Sequence, residues 1–305
     1  MNKEFLDLAE QLKSSVSCTV RLNELMSGHT SFKIGGPADI LVLPESIEQL
    51  REVLKVVKET VVPLTLLGNG SNVLVRDKGI RGIVIKLGNM LRHFYEAEDL
   101  LVFGSGYSLA LASYKAMECG KTGMEFAVGI PGSIGGAVYM NAGAYDGEMQ
   151  NIVNCVKVMD LQGNERVLTA EELNFGYRKT SLQNSGLIVT EVTLKMPSGN
   201  KDEIKSKMDD FSHRRISKQP LEMPSAGSMF KRPPGYFAGT LIDQAGLKGY
   251  TVGGAQISTK HAGFVVNVGG ATAADVLQLI KDVQTKIKAV VGVELQPEVL
   301  VIGEE

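Results

Sequence analysis

Glycine constrains this chain more than any other feature, because 34 of its 305 residues are glycine and they crowd at places where backbone must approach something closely. Gly68-Asn69-Gly70-Ser71-Asn72 follows directly on the apolar run Pro63-Leu64-Thr65-Leu66-Leu67. Gly129-Ile130-Pro131-Gly132-Ser133-Ile134-Gly135-Gly136-Ala137 is followed by Asn141-Ala142-Gly143-Ala144. Small residues in succession can turn consecutive N–H groups toward one point, a concavity suited to a pyrophosphate. The same stretches also suit tight turns packed against neighbours, and spacing leaves both readings open. Two familiar nucleotide loops are absent. Gly104-Ser105-Gly106-Tyr107-Ser108-Leu109 follows a strand pattern and opens a helix pattern, but Leu109 replaces the third glycine of a dinucleotide fingerprint. Neither glycine cluster continues into the Gly-Lys-Ser/Thr of a phosphate-binding P-loop.

Around these loops the pattern is α+β. A strand is expected at Asp39 to Leu43, then a helix capped by Ser46, with a capping box to Gln49 and an apolar face of Ile47, Leu50, Leu54 and Val57. Apolar runs follow at Val61 to Leu67 and Gly82 to Leu87, a strand at Leu100 to Gly104, and a helix from Ser108 to near Gly120. Strand patterns at Cys155 to Asp160 and Glu165 to Leu168 flank a turn at Gln162-Gly163-Asn164, and Ile188 to Met196 alternates again. A helix from Asn200 turns Ile204, Met208 and Phe211 inward and runs into the basic segment Arg214 to Lys218, before Pro220 and Pro224 mark a boundary. The last region holds a helix from Thr272 to about Val291, with Val276, Ile280, Val283 and Ile287 as its stripe, and a terminal strand Glu298 to Ile302. Met1 to Ser15 has helical spacing of Phe5, Leu8, Ala9 and Leu12 instead of the continuous apolar core of a signal peptide.

A net charge of -2 gives no long-range attraction for nucleic acid or anionic lipid, and no apolar run reaches membrane-spanning length, so neither nucleic-acid binding nor membrane insertion is expected. Cys18, Cys119 and Cys155 are an odd number at wide spacings, which suggests neither a disulfide framework nor a metal site and fits a reducing cytoplasm. His29, His93, His213 and His261 lack metal-ligand spacing, so no metal is expected. No Gly-x-Ser-x-Gly elbow supports hydrolase chemistry.

The two loops, taken with Thr30-Ser31-Phe32-Lys33-Ile34-Gly35-Gly36, Tyr177-Arg178, Gly227-Ser228-Met229-Phe230-Lys231 and Pro297-Glu298-Val299, occur in an order that resembles the UDP-N-acetylenolpyruvoylglucosamine reductases. The resemblance spans about Ser27 to Gly303, and the tail from Lys248 to Asn267 looks like the shorter subtype, which lacks a substrate-capping loop. Thr180 stands where a serine is common, and Arg232 where longer members often carry asparagine. The resemblance implies a two-subdomain FAD-binding fold of the vanillyl-alcohol-oxidase type plus a C-terminal α/β substrate-binding domain. Its expected divisions are 1–88, joined by a returning strand at 296–305, then 89–212, then 213–295.

It also implies noncovalent FAD held by Gly68, Asn69, Gly70, Ser71, Asn72, Gly129, Ile130, Pro131, Gly132, Ser133, Gly135, Gly136, Asn141, Ala142 and Gly143. NADPH is the implied hydride donor and a UDP-sugar enolpyruvate the implied substrate. Arg178, Ser228 and Glu298 are the implied catalytic residues. Arg178 suits a developing enediolate because a guanidinium stays charged and presents two parallel donors. Ser228 would protonate the carbon intermediate, and Glu298 would polarise the substrate carboxylate. Tyr177, Lys218 and Lys231 are expected at the substrate, the lysines as point charges for its diphosphate. Two rivals share the fold: an FAD-linked oxidase, and a binding protein without catalysis.

Overall fold

The computed structural model describes residues 3–88 and 90–305. Packing divides the chain into two compact units, one of Met1–Leu22, Ile40–Asn69 and Gly82–Arg214, the other of Asn23–Asp39, Gly70–Arg81 and Arg215–Glu305.

In the first unit the helix Lys3–Ser15 buries Leu8, Ala9 and Leu12, while Met1 and Asn2 lie outside the described residues. The helix Ile47–Lys58 buries Leu50, Val53, Leu54, Val56 and Val57. Both contribute to the core that includes strands Leu64–Leu67 and Ile80–Lys86, which run parallel with Leu64 opposite Ile83. Parallel strands are covered on both faces, and Ile83, Val84 and Ile85 are accordingly all fully buried. Ser46 caps its helix by accepting from Gln49 N–H at 3.2 Å, but the Gln49 carboxamide takes the N–H of Glu45 at 2.8 Å, so only half of the expected capping box forms.

The same unit holds an antiparallel sheet in the order Glu165–Thr169, Val153–Met159, Ile188–Lys195, Leu100–Gly104, Phe94–Ala97. Its core joins Phe103, Val156, Val192 and Leu194 to Leu109, Ala112, Ile134 and Val138 from the helices Leu109–Glu118 and Ile134–Tyr139. The expected turn at 162–164 is held by the Asp160 carboxylate, which accepts from Gln162 and Asn164 N–H. The helix Lys201–Lys218 buries Ile204, Met208 and Phe211 and continues through the whole basic segment.

The second unit has an antiparallel sheet in the order Ser225–Ser228, Phe264–Asn267, Ala255–Ile257, Thr251–Val252. Against it lies the helix Ala273–Val291, with Val276, Leu279, Ile280, Val283 and Ile287 buried. Thr272 and Asp275 form the complete reciprocal capping box, and Gly292 ends the helix in a left-handed conformation at φ +74°. The final strand, Leu300–Ile302, begins two residues later than expected and pairs in parallel with Val73–Val75. Phe32, Ile34 and Leu74 share its core with Met229 and Phe230, so chain segments some two hundred residues apart close one hydrophobic interior. Among the described residues no helix is long and apolar enough to cross a membrane.

Candidate active site

The two glycine-rich loops meet in the first unit. A Cβ on Gly68 would have only Ser133 Oγ near it, at 3.4 Å, and one on Gly136 only the same oxygen, at 3.3 Å. Ser133 is fixed as the N-cap of the helix Ile134–Tyr139, its hydroxyl accepting from Gly136 N–H. The helix start does not offer a row of free donors, however. Ile134 N–H goes to Tyr107 O at 2.9 Å and Gly135 N–H to Ser105 O at 2.9 Å. At these two residues the tight-turn reading is the one that holds. Gly135 is instead a close-packing glycine, since a Cβ there would stand 2.7 Å from Ser105 Cβ. Pro131 and Gly136 are exposed and Gly68, Gly129 and Gly132 half-buried, so the paired loops keep a solvent-facing border. Such a border, open where side chains would fill it, fits the phosphates of a dinucleotide cofactor.

The far half of the first loop belongs to the second unit and is a packed turn. Gly70 has φ +67°, and a Cβ there would lie 2.4 Å from His29 O. The Asn72 carboxamide donates to Glu298 O at 3.3 Å, and Asn72 O accepts from Leu300 N–H at 3.0 Å. The tight-turn reading of the glycine loops therefore holds at Gly70 and Gly135.

Arg178 lies on a two-residue turn in the first unit. Gly176 and Lys179 exchange both backbone hydrogen bonds, at 2.9 and 3.1 Å, leaving Tyr177 and Arg178 as the central pair. Arg178 has φ +55°, a left-handed conformation that costs a side-chain-bearing residue roughly 1–2 kcal/mol and is normally left to Gly or Asn. Its guanidinium donates to Asn141 O at 3.3 Å and Gly143 O at 3.2 Å and lies 5.1 Å from the Tyr177 ring centroid. Asn141 is itself fully buried, its carboxamide donating to Glu148 Oε2 and Gly176 O and accepting from Gln150 N–H. Gly143–Ala144 pairs with Gly147–Glu148 around Tyr145 and Asp146, both at positive φ, which is the signature of a type I′ hairpin.

In the second unit Ser228 ends an edge strand just after a β-bulge. Ser225 pairs with Val266 but Ser228 with Phe264, so the first strand carries one extra residue, and Gly227 has φ +79° beside it. A bulge of this kind bends the strand and re-aims the following side chain. Ser228 is exposed, and nothing lies within 4 Å of where a Gly227 Cβ would be. Directly after it the chain pairs with the carboxy-terminal segment: Glu298 N–H donates to Met229 O at 2.8 Å, Phe230 bridges Pro297, and Lys231 N–H donates to Gln296 O. Ser228 and Glu298, seventy residues apart, are thereby held on neighbouring backbone segments with Asn72 alongside.

Lys231 is half-buried on that same segment, and Lys218 is exposed at the end of its helix. The guanidinium of Arg232 lies 3.9 Å over the Phe237 ring. Sequence reasoning missed the Asn141 network and His261, whose Nδ1 accepts from Gly263 N–H at 3.1 Å. Burial pushes the His261 pKa down, and nearby Lys248 and Lys218 add to the effect.

An α+β fold with paired glycine-rich loops is that of a flavin-dependent oxidoreductase, as the similarity to known proteins shows. Residues 38–169 match the FAD binding domain, and residues 219–302 match the UDP-N-acetylenolpyruvoylglucosamine reductase C-terminal domain. A UDP-N-acetylenolpyruvoylglucosamine reductase of Clostridium perfringens is 50% identical over 302 residues, covering 99% of this chain and 98% of its own. The reductase of Clostridioides difficile is 49% identical over 94% of each chain. The crystal structure of the Thermus caldophilus reductase superposes with a TM-score of 0.78 at 38% identity, covering 93% of this chain and 98% of its own. The chain belongs to the UDP-N-acetylenolpyruvoylglucosamine reductase family, and it is an FAD-containing oxidoreductase.

Proposed function

We propose that the protein reduces UDP-N-acetylglucosamine enolpyruvate to UDP-N-acetylmuramate, in the synthesis of peptidoglycan precursors in the cytoplasm, with NADPH as the hydride donor. The observation that supports this reading is the backbone pairing of Glu298 with Met229, which brings the segment that carries Glu298 alongside the one that carries Ser228. Relay of hydride from NADPH to the substrate double bond is the chemistry that bound FAD would supply. Gly68 to Asn72, with Gly70 and Asn72 fixing the turn that shapes the loop, Gly129 to Ser133, Gly136, and Asn141 to Gly143 would hold the cofactor. The absence of His and Cys from Gly68 to Asn72 supports noncovalent binding.

The substrate double bond is conjugated to a carboxylate, so hydride addition pushes negative charge into an enediolate. Arg178 would meet that charge with a fork of two donors. Ser228 Oγ would then protonate the adjacent carbon, which a weak acid can do only because the enediolate carbon is strongly basic. Glu298 would polarise the substrate carboxylate. Lys218 and Lys231 would neutralise the diphosphate, and Tyr177 would line the sugar side. The divisions 1–88 with 296–305, 89–212 and 213–295 would serve as two flavin subdomains and a substrate domain.

Anaerobic mixing of the purified yellow protein first with NADPH and then with the enolpyruvyl sugar tests the reading. Bleaching followed by recovery of flavin absorbance is expected. Oxygen-dependent oxidation of sugar alcohols would favour an oxidase, and yellow protein that NADPH never bleaches would favour a binding role.

A further inference from the structure

Arg178 combines a strained backbone with a role that demands a fixed direction, and the structure contains a device that reconciles the two. The segment after it hooks onto the carboxy-terminal end of the helix Ile134–Tyr139. Helix ends leave carbonyl groups without helical partners. Here Tyr139 O accepts from Thr180 Oγ1 at 2.8 Å and from Gln183 Nε2 at 3.2 Å. The same Gln183 Nε2 donates to Arg178 O at 3.1 Å, so one carboxamide spans the helix end and the left-handed residue. From the other side, Asn141 Nδ2 holds Gly176 O at 3.0 Å, and Asn141 O accepts from the Arg178 guanidinium. Thr180 and Asn141 are almost or fully buried, so these bonds work with little competition from water. The amino-terminal end of that six-residue helix is the Ser133 cap of the glycine-rich loop. One short, rigid element therefore carries the border of the cofactor loop at one end and the anchor of Arg178 at the other.

We propose that Gln183, with Thr180 and Asn141, is a positioning residue for Arg178: it holds the arginine backbone in its left-handed conformation and so fixes the guanidinium relative to the glycine-rich loop. The proposal rests on the reading that Arg178 acts when reduced flavin is reoxidised by substrate. Backbone strain that persists at a functional residue requires surroundings that over-determine it. A displaced catalytic group loses rate without losing its chemistry.

The test measures both half-reactions of the holoenzyme by rapid mixing, with NADPH and then with UDP-N-acetylglucosamine enolpyruvate, for Gln183→Leu, Arg178→Lys and the double variant. Gln183→Leu is expected to slow reoxidation at saturating substrate by about 10- to 100-fold. Flavin content and the rate of reduction by NADPH should stay within about twofold, since neither depends on the direction of Arg178. In the Arg178→Lys background, adding Gln183→Leu should cost less than about twofold, because two residues acting through one group are not additive. Full additivity, unchanged reoxidation in Gln183→Leu, or equal slowing of both half-reactions would overturn the positioning role. If Arg178→Lys by itself leaves reoxidation unchanged, the reading of Arg178 has failed, and the proposal goes with it. Should Gln183→Leu not accumulate as yellow protein, Thr180→Val, which removes one donor to the same Tyr139 carbonyl, carries the same expectation. Failure of both variants to fold would assign the segment to stability alone and overturn the proposal.

Discussion

Removing the Asp77 carboxylate should loosen the unit that carries Ser228 and Glu298, by an amount the structure allows to be worked out. Asp77 Oδ1 accepts from Ala273 N–H at 2.7 Å and Oδ2 from Ala274 N–H at 2.9 Å, so a residue 196 positions away caps the start of the helix Ala273–Val291. Hydrogen bonds to a charged group contribute about 1.5–3 kcal/mol each when sheltered, and less when exposed. Asp77 and the Ala274 bond are exposed, whereas Ala273 is buried and its N–H would lose its partner in partly buried surroundings. A negative charge at a helix N-terminus adds about 0.3–1 kcal/mol. Asp275, the second carboxylate at the same terminus, repels Asp77 and subtracts part of that. The balance predicts a loss of about 2 kcal/mol for Asp77→Ala, a fall in Tm of about 8 °C for a unit of this size. Asp77→Asn keeps one acceptor but turns an amide toward the other N–H, so it should cost about half as much. Thermal unfolding followed by circular dichroism, at matched pH and salt, measures both. A shift below about 1 °C for Asp77→Ala, or equal damage from Ala and Asn, would refute the capping argument.

Ser228→Ala should leave bleaching by NADPH nearly normal and slow reoxidation by substrate roughly 10²- to 10⁴-fold, the range for loss of a general acid; equal slowing of both steps would remove it from that role. Gly135→Ala should cost about 1–3 kcal/mol through overpacking against Ser105. Gly136→Ala, which crowds only Ser133 Oγ, should cost little stability yet weaken flavin retention on the proposal that its exposed side meets the cofactor; unaltered retention on gel filtration would clear Gly136 of contact. The His261 pKa is lowered in the fold, so the unfolded chain binds the extra proton first. The stability from neutral His261 is present above its ordinary value of about 6.5 and is lost as pH falls from there toward the folded value. His261→Asn, which keeps an acceptor for Gly263 N–H, should flatten that part of the Tm-against-pH curve, and an identical slope would contradict the assignment.

Where local forces decide, the sequence was readable. The capping box of Thr272 and Asp275, the inward stripe from Val276 to Ile287 and the strand alternation near residue 190 all follow from side-chain periodicity and short-range hydrogen bonds. The half-formed box at Ser46 shows the limit: Gln49 found the N–H of Glu45 instead, a choice among donors that residue types do not specify. The second glycine loop was legible as a place of close approach, but not what approached. Gly135 makes room for Ser105, whereas Gly136 has an open side, and the two are adjacent glycines with the same local chemistry.

The sequence alone determined the α+β elements, the two loops that need glycine and, through ordered motifs, the family. Tertiary structure decided which distant residues share a backbone ladder: Glu298 against Met229, Asn72 against Leu300, and Asp77 at the helix that begins two hundred residues later. The physical reason is range. Capping, turn conformation and periodic burial act over a few residues and are written in their order. The pairing of remote segments depends on how a whole core closes, and the turn at Arg178 is tied down by Asn141, which donates to Gly176 O from thirty-five residues away.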